Sequence, residues 1–198
     1  ARAAVADLAD TGARLVDVRA PELDWSGVAQ QLLMLPEATA AHRRRLAERL
    51  PDYGADVRAR LLTGLFLPAT APVTGGRARR WLVEVAERLF GQVDLLVAPA
   101  MPVVPPPLEA QTVELDGADV PYRLALIPFN SPWSFLGLPA ASVPCGFVDG
   151  LPVALSVIGP RFGESGVLQL AHAFQKVRDW HLQRPTFASD AASTGKGV

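Results

Sequence analysis

Residues 127–160 read IPFNSPWSFLGLPAASVPCGFVDGLPVALSVIGP, a segment in which Gly or Pro interrupts the chain every few positions. Between the interruptions lie two short apolar runs, Ala140–Val143 and Val153–Ile158. Apolar runs of this length, bounded by Gly and Pro, are typical of buried strands. The residues between them, Val148–Gly150, include the turn-forming pair Asp-Gly. The segment therefore predicts two buried strands joined by a turn.

The rest of the chain alternates helical periodicity with isolated apolar runs. The clearest helix has apolar residues at helical spacing from Ala78 to Leu89, and Asp94–Ala98 is a further short buried strand. This alternation predicts an α/β layered sandwich with a largely covered sheet. Further helices are expected over residues 1–10, from Ser26, from Pro36, over Tyr53–Leu67 with Asp52 as the N-cap, and around 167–177. A further strand is expected over Ala13–Val18. The segment Pro99–Pro107 should be irregular, and Thr112–Tyr122 should form a hairpin.

Composition restricts the class of protein. Hydrophobic residues make up 49% of the 198 residues and charged residues 20%, which is ordinary for one globular domain. The net charge is −1, so no nucleic-acid partner is indicated, and Arg43–Arg45 is interpreted as a solvated helix face. The single Cys145 excludes an internal disulfide and fits a reducing, cytoplasmic compartment. No apolar run approaches the ~18 residues that a membrane span requires, so no membrane function is expected.

Several segments, taken in their order and spacing, resemble one protein family. They are Asp94–Pro99, Gly137–Ala140, Ser142–Gly146, Gly150–Val153 and Ile158–Pro160. The chain is similar to the C-terminal part of the amidase signature family, serine hydrolases that cleave carboxamides. The resemblance covers nearly all of residues 1–185. It implies an α/β fold that forms part of the amidase signature α/β/α sandwich with a mixed sheet.

The resemblance also indicates what this chain lacks. The family's chemistry uses a Ser nucleophile, a second Ser in a strained peptide bond and a Lys, all upstream in the family, and two of them in a Gly-Ser-rich loop. This chain has no such loop, and its only lysines are Lys176 and Lys196. We therefore expect no catalytic residue in this chain, which begins at Ala1 rather than Met, and neither a metal nor a cofactor. Residues 1–187 would be the C-terminal portion of an amidase domain, and 188–198 a disordered tail.

The resemblance implies that the complete protein hydrolyses a small carboxamide substrate. This chain would supply core and substrate-pocket wall, and its partner would be the missing N-terminal half of the domain. A fragment of an amidotransferase A-type subunit is the alternative within the family. A non-catalytic binding or assembly module that keeps half of the fold is the alternative outside it. Homo-oligomerisation is left open.

The best candidates for substrate contact lie in Pro128–Leu136, which we expect to be a loop. This segment combines aromatic surface with amide and hydroxyl groups, as the wall of a small-molecule pocket does. The alternative is a structural turn in which polar side chains cap a helix start, a role considered for Asn130 and Ser131. The resemblance favours the pocket, because the corresponding family loop lines the acyl pocket. The candidate residues are Phe129, Asn130, Ser131, Trp133 and Ser134.

Two departures from the family pattern bear on the substrate. Ser134 stands where Asn is common, and Ile127 stands where the glutamine-using subunits carry an acid for the substrate's amino group. The loss of that acid argues against free glutamine as the substrate. In the glutamine-using branch, an Arg of the helix that includes Arg58 and Arg60 holds the substrate carboxylate, a task suited to the planar guanidinium fork. Solvated surface positions are the alternative for both arginines.

An independent nucleophile or metal site has little support in the sequence. Cys145 with a His is the one nucleophilic pair that this chain could build unaided. Its buried-strand context is instead typical of Cys acting as a small hydrophobe. His172 and His181 are nine residues apart, a spacing that does not place both on one ligand face.

Overall fold

The computed structural model describes residues 2–184 and confirms the α/β class. The expected tail over 188–198 lies outside the described residues, and the domain boundary at residue 187 stays a prediction. The helices are α1 (Arg2–Ala9), α2 (Ser26–Arg49), α3 (Ala55–Phe66), α4 (Ala71–Phe90), α5 (Tyr122–Leu136) and α6 (Glu164–Val177). The strands are β1 (Leu96–Pro99), β2 (Thr112–Leu115), β3 (Ala118–Pro121), β4 (Ala140–Val148) and β5 (Leu151–Ile158).

Strand β5 is the centre of a three-stranded antiparallel sheet with the order β1–β5–β4. Leu96 of β1 and Ala140 of β4 lie on either side of Ile158. Asp149 (φ 51°) and Gly150 (φ 77°) form the turn between β4 and β5, and this residue pair suits the left-handed conformation that a two-residue hairpin turn requires. The two strands and the turn predicted from the sequence are therefore confirmed, but Ala140–Val143 is buried on one face only.

The second predicted hairpin is also confirmed. Strands β2 and β3 pair antiparallel around Asp116 (φ 51°) and Gly117 (φ 79°), the same turn chemistry as in the first hairpin. Residues 100–107, within the proline-rich segment, form no helix or strand. All strand pairs within residues 2–184 are antiparallel. The mixed sheet implied by the resemblance therefore requires a strand pair beyond this range.

The three-stranded sheet is buried on both faces around the C-terminal half of β5 and the start of β1, whereas Ala140, Ser142 and Pro144 of β4 are exposed. Neighbouring residues of one strand belong to different apolar clusters: Ile158 and Leu96 pack with α4 and α5, whereas Val157 and Val97 pack with α1 and α6. This alternation follows from the two-residue period of a strand, which directs successive side chains to opposite faces. The helices therefore form two layers around the sheet, as the apolar composition of these strands predicts.

Helix α2 is continuous through Pro36, which corrects the prediction of two helices. A proline inside a helix removes a hydrogen bond and costs about 3 kcal/mol, so packing must stabilise this helix. Glycines of α3 and α4 provide that packing. A Cβ on Gly75 would lie 3.0 Å from the Ala29 carbonyl oxygen, and one on Gly64 would lie 2.5 Å from that of Leu35. Because neither glycine has a side chain, α3 and α4 pack directly against the backbone of α2.

Two other local predictions were wrong. Residues 13–18 form no strand, because no neighbouring strand lies beside them within the described range. Helix α3 starts at Ala55 behind Gly54 and not behind an Asp52 N-cap. Asp52 instead ends a short 3-10 turn and forms an exposed ion pair with Arg49, at a distance of 2.6 Å.

An ion pair links helix α1 to the residue that follows helix α6. Asp7 of α1 accepts hydrogen bonds from Nε and Nη2 of Arg178, at 2.9 and 2.5 Å, just after α6 ends. The hydrogen bonds from Arg178 hold the pKa of Asp7 below its usual value of 3.8. Buried Leu8 and Phe174 pack in the same layer. Apolar contacts therefore hold α1 against α6, and the ion pair fixes the orientation of α1.

We expect the Asp7–Arg178 pair to stabilise the chain near neutral pH and to lose this effect in acid. A carboxyl whose pKa is lowered by folding contributes stability above its usual value, here 3.8, and loses that contribution as the pH falls through the folded-state pKa. Asp7→Asn should therefore lower the free energy of unfolding at pH 7 but make little difference near pH 2. Urea unfolding across this pH range measures the difference, with exposed Glu109→Gln as the control. A difference that stays constant with pH would contradict the assignment.

Gly64→Ala should destabilise the chain, because the new Cβ would overlap Thr39 Oγ1 and lie 2.5 Å from the Leu35 carbonyl oxygen. Overpacking of this kind costs about 1–3 kcal/mol. The matched control is Gly76→Ala in α4, where a Cβ would meet nothing within 4 Å. That change should be neutral or stabilising by roughly 0.5–1 kcal/mol, since Ala favours a helix over Gly. Equal urea-unfolding midpoints for the two variants would mean that α3 and α2 are not closely packed.

Candidate substrate-facing surface on helix α5

The predicted loop Pro128–Leu136 is the second half of helix α5, which corrects the sequence prediction. Pro128 and Pro132 suggested an irregular segment, yet both lie inside the helix. Gly137, with φ 70°, ends the helix, and the Leu138 N–H donates to the Trp133 carbonyl at 2.9 Å. A left-handed glycine is the usual device for ending a helix. The site residues therefore lie on a regular helical surface.

Arg79 of α4 supports the C-terminal end of α5. Its Nε donates a hydrogen bond to the Phe135 carbonyl oxygen at 2.6 Å, and its guanidinium carbon lies 6.0 Å from the centre of the Phe135 ring. A cation at a helix C-terminus satisfies carbonyls that have no intrahelical donor and interacts favourably with the helix dipole. This residue was not identified from the sequence, because its partner lies 56 residues away.

The hydroxyl and amide candidates of α5 differ in burial. Ser131 is buried and donates a hydrogen bond to Oε1 of Gln30 in α2. Asn130 and Ser134 are exposed and one turn apart, and the Ser134 Oγ donates to the Asn130 carbonyl at 3.1 Å. The Asn130 side chain donates to the Leu126 carbonyl at 3.2 Å. Ser131 is thus engaged between helices, and the exposed polar candidates are Asn130 and Ser134.

The alternative role of these residues as helix caps is wrong. Asn130 and Ser131 lie in the interior of α5, whose N-cap position is occupied by Pro121. Their hydrogen bonds run to a carbonyl of the preceding turn and to a neighbouring helix, not to free N–H groups at a helix start. The structure therefore leaves the polar face of α5 without the structural explanation that the sequence suggested.

The aromatic candidates lie at the boundary between the helical core and the surface. Phe129 and Trp133 are half-buried, and Trp133 packs against the cluster formed by α4, α5 and the sheet. The indole Nε1 of Trp133 is buried without a hydrogen-bond partner in the described structure. An apolar cavity of about 390 Å³ opens at the end of α5 and is lined by Leu136 and Leu138. None of the predicted substrate-contact residues lines this cavity.

The position that carries an acid in the glutamine-using relatives, according to the resemblance, has a packing role here. Ile127 is half-buried, and its Cγ2 occupies the space that a Cβ on Gly27 of α2 would need. The contact lets α5 approach the backbone of α2 closely. An apolar side chain at this place offers no counter-charge for a substrate amino group.

The pKa of Arg60 is affected by a second arginine, Arg123, that the sequence did not indicate. Arg60 is half-buried on α3, and its pKa is lowered first by burial and then by the nearby charge of Arg123 in the first turn of α5, whereas Asp56 opposes the shift. Two guanidinium groups in proximity favour an anionic ligand. No local signal identified Arg123, because its relation to Arg60 arises only when α3 and α5 both pack on α2.

The structure gives little support to a thiol or metal site. Cys145 lies half-buried on β4 against the α1 and α6 layer, and burial raises the pKa of its thiol. A raised pKa keeps the thiol protonated and therefore a poor nucleophile. Among residues 2–184, no group of three or more His, Cys, Asp or Glu side chains could hold a metal ion.

The helices in that range are also too short or too polar to cross a membrane.

Comparison with known proteins identifies the family. The family model described as Amidase matches residues 1–168. This chain belongs to the amidase family. It is 33% identical to the A-type subunit of the glutamyl-tRNA(Gln) amidotransferase of Ralstonia nicotianae, over 93% of the chain and 41% of that protein. It is also 33% identical to an amidase of Pseudomonas putida, over 93% of the chain and 40% of that protein.

A solved structure supports the same assignment. The crystal structure of an amidase superposes on 89% of this chain with a TM-score of 0.82 and 30% identity, and the chain covers 41% of it. The amidase-family resemblance and fold expected from the sequence are therefore confirmed. The chain spans about two fifths of the length of the curated relatives that it matches.

We expect Trp133 to affect acyl selectivity in the complete protein. Trp133→Ala should change the ratio of kcat/KM between a bulky and a small acyl amide by about tenfold, because pocket contacts distinguish substrates by roughly 1–3 kcal/mol for each methylene. The ratio is the readout, since removing a half-buried indole also lowers stability. Trp81→Ala on exposed α4 surface is the matched control. An unchanged ratio with a lower melting temperature would make Trp133 purely structural.

Proposed function

We propose that this chain is the C-terminal part of a carboxamide hydrolase of the Ser-Ser-Lys type and contributes core and substrate-side wall but no catalytic residue. The observation that carries the proposal is the Amidase match over residues 1–168 in a chain with only two lysines. Lys176 is exposed on α6, far along the chain from the polar face of α5, and Lys196 lies outside the described residues. Catalytic groups would therefore come from the polypeptide that precedes α1.

In the proposed reaction, an upstream Ser oxygen attacks the amide carbonyl to form a tetrahedral oxyanion. Backbone N–H groups stabilise that oxyanion, and the second Ser and the Lys pass the nucleophile's proton to the leaving amine. Collapse breaks the C–N bond and leaves an acyl-enzyme, which water then hydrolyses to release the acid. Asn130 and Ser134 would orient the acyl group with Phe129 and Trp133 as its apolar contacts.

The substrate surface favours an amide other than free glutamine. Ile127 offers no carboxylate to a substrate amino group and packs on Gly27. Arg60 and Arg123 together would favour a substrate with an anionic group. Ser131, engaged with Gln30, would act on the site by positioning α5. We also place the protein in the cytoplasm, because its single cysteine is unpaired.

A role as an amidotransferase A-type subunit is the second candidate. It is favoured by the 33% identity to the Ralstonia nicotianae protein, equal to the identity to the Pseudomonas putida amidase. The apolar residue at position 127 weighs against glutamine as the amide donor.

The test compares this chain alone with the same chain joined to the polypeptide encoded immediately upstream. On a panel of simple amides, we expect hydrolysis only from the longer protein. The longer protein should also bind less hydrophobic dye, because the isolated chain exposes apolar side chains such as Phe66, Trp25 and Val16. Turnover by the short chain that is lost in Cys145→Ala would overturn the proposal and support a thiol mechanism. Inactivity of the longer protein on every amide would support the binding or assembly module.

A further inference from the structure

The last turn of α5 is closed only in part by the backbone that follows it. The Leu138 N–H donates to the Trp133 carbonyl at 2.9 Å, and the Gly137 N–H donates to the next carbonyl along the chain at 3.3 Å. The Phe135 carbonyl would require its donor four positions further on, where Pro139 has no N–H. Because Phe135 is buried, an unpaired carbonyl at this position would cost free energy.

The side chain of Arg79 supplies the missing donor. Its Nε donates to the Phe135 carbonyl at 2.6 Å, and its guanidinium carbon lies 6.0 Å from the centre of the Phe135 ring. Its Nη2 lies 3.6 Å from the position that a Cβ on Gly137 would occupy. One planar guanidinium therefore lies against a carbonyl, the aromatic ring of the same residue and the glycine that ends the helix, an arrangement that suits the shape of the Arg side chain.

The guanidinium is directed at α5 and not at a counter-charge. Within residues 2–184, no carboxylate forms an ion pair with Arg79. The helix that carries Arg79 is fixed in the core through Leu82 and Val85, which are buried in the cluster shared with α5 and the sheet. Arg79 therefore connects the end of α5 to a helix that cannot easily move.

The turn that Arg79 supports includes two of the candidate substrate contacts, Trp133 and Ser134. The indole Nε1 of Trp133 is buried and has no hydrogen-bond partner among the described residues. No hydrogen bond therefore fixes the ring, and its position depends on packing and on the backbone of this turn. The Ser134 hydroxyl donates to the Asn130 carbonyl at 3.1 Å, so its position also follows from the helix backbone.

We propose that Arg79 is a positioning residue for the substrate surface. It fixes the last turn of α5, and thereby the orientation of Trp133 and Ser134 toward the acyl group, without touching the substrate itself. Small displacements of groups that hold a substrate are costly, since an error of about 1 Å lowers the rate about 100-fold. This inference rests on the proposed function of the α5 surface.

Kinetics of Arg79→Ala test this role in the chain joined to its upstream polypeptide, called the longer protein. The readout is the ratio of kcat/KM for benzamide to that for acetamide. We expect the ratio to change by about fivefold, less than for Trp133→Ala, because Arg79 acts through the backbone. The matched control is Arg80→Ala, which removes the same charge from the next, exposed position of α4 and should leave the ratio unchanged. A lower melting temperature with an unchanged ratio would overturn the proposal.

Chemical rescue separates the lost hydrogen bond from a general loosening of the fold. Arg79→Ala leaves space in which a free guanidinium ion can donate to the Phe135 carbonyl. Guanidinium chloride at about 20 mM, far below the concentrations that unfold proteins, should return the ratio to within about twofold of the parent value. Sodium chloride at the same concentration should not. A changed ratio that guanidinium does not restore would overturn the assignment to Arg79's hydrogen bond.

A measurement without activity keeps this inference distinct from the proposed function. The longer protein is labelled with 5-fluorotryptophan, and the fluorine resonance of Trp133 is assigned with Trp133→Phe. We expect Arg79→Ala to shift or broaden this resonance, guanidinium to restore it, and the resonance of exposed Trp25 to stay unchanged. These changes in a protein that hydrolyses no amide would support the positioning and overturn the hydrolase. Amide hydrolysis with a ratio and a resonance that do not depend on Arg79 would support the hydrolase and overturn the positioning.

Discussion

The close approach of three helices to α2 is the constraint on which the rest of the structure depends. Gly64 of α3, Gly75 of α4 and Gly27 of α2 itself have no space for a Cβ, because a neighbouring helix occupies the place where it would lie. These contacts compensate for Pro36 and keep α2 continuous. Thr39 adds a hydrogen bond from its Oγ1 to the Leu61 carbonyl at 2.6 Å. The helical layer is therefore positioned by backbone contact as much as by apolar side chains.

The position of α5, and with it the candidate site, follows from that layer. Ile127 packs against Gly27, Ser131 bonds to Gln30, and Arg79 holds the last turn. With these three contacts in place, the side chains of Asn130 and Ser134 remain exposed. The same packing brings Arg123 near Arg60 of α3. The surface that we propose for substrate is thus a consequence of helix packing and does not depend on a separate loop.

The turns are predictable from the sequence because local chemistry decides their structure. The two hairpin turns contain Asp-Gly pairs that suit left-handed backbone, and Asp149-Gly150 and Asp116-Gly117 both adopt it. Other elements are not predictable from the sequence, because tertiary contacts override their local preference. Pro36, Pro128 and Pro132 lie inside helices because neighbouring elements hold those helices. Residues 13–18 form no strand, because a strand needs a neighbour and none is present in the described range.

By itself, the sequence determined the α/β class, the positions of the strands, the turns and the amidase family, because periodicity, Gly and Pro positions and motif order are local properties of the chain. It also indicated which residue types could contact a substrate. Only the tertiary structure decided that those residues lie on a helix, that Ser131 is hydrogen-bonded to α2, and that the charge of Arg123 lowers the pKa of Arg60. Each of these facts depends on contacts between residues that are far apart in the chain. The energies of such contacts outweigh the local helix and strand preferences on which a prediction from sequence is based.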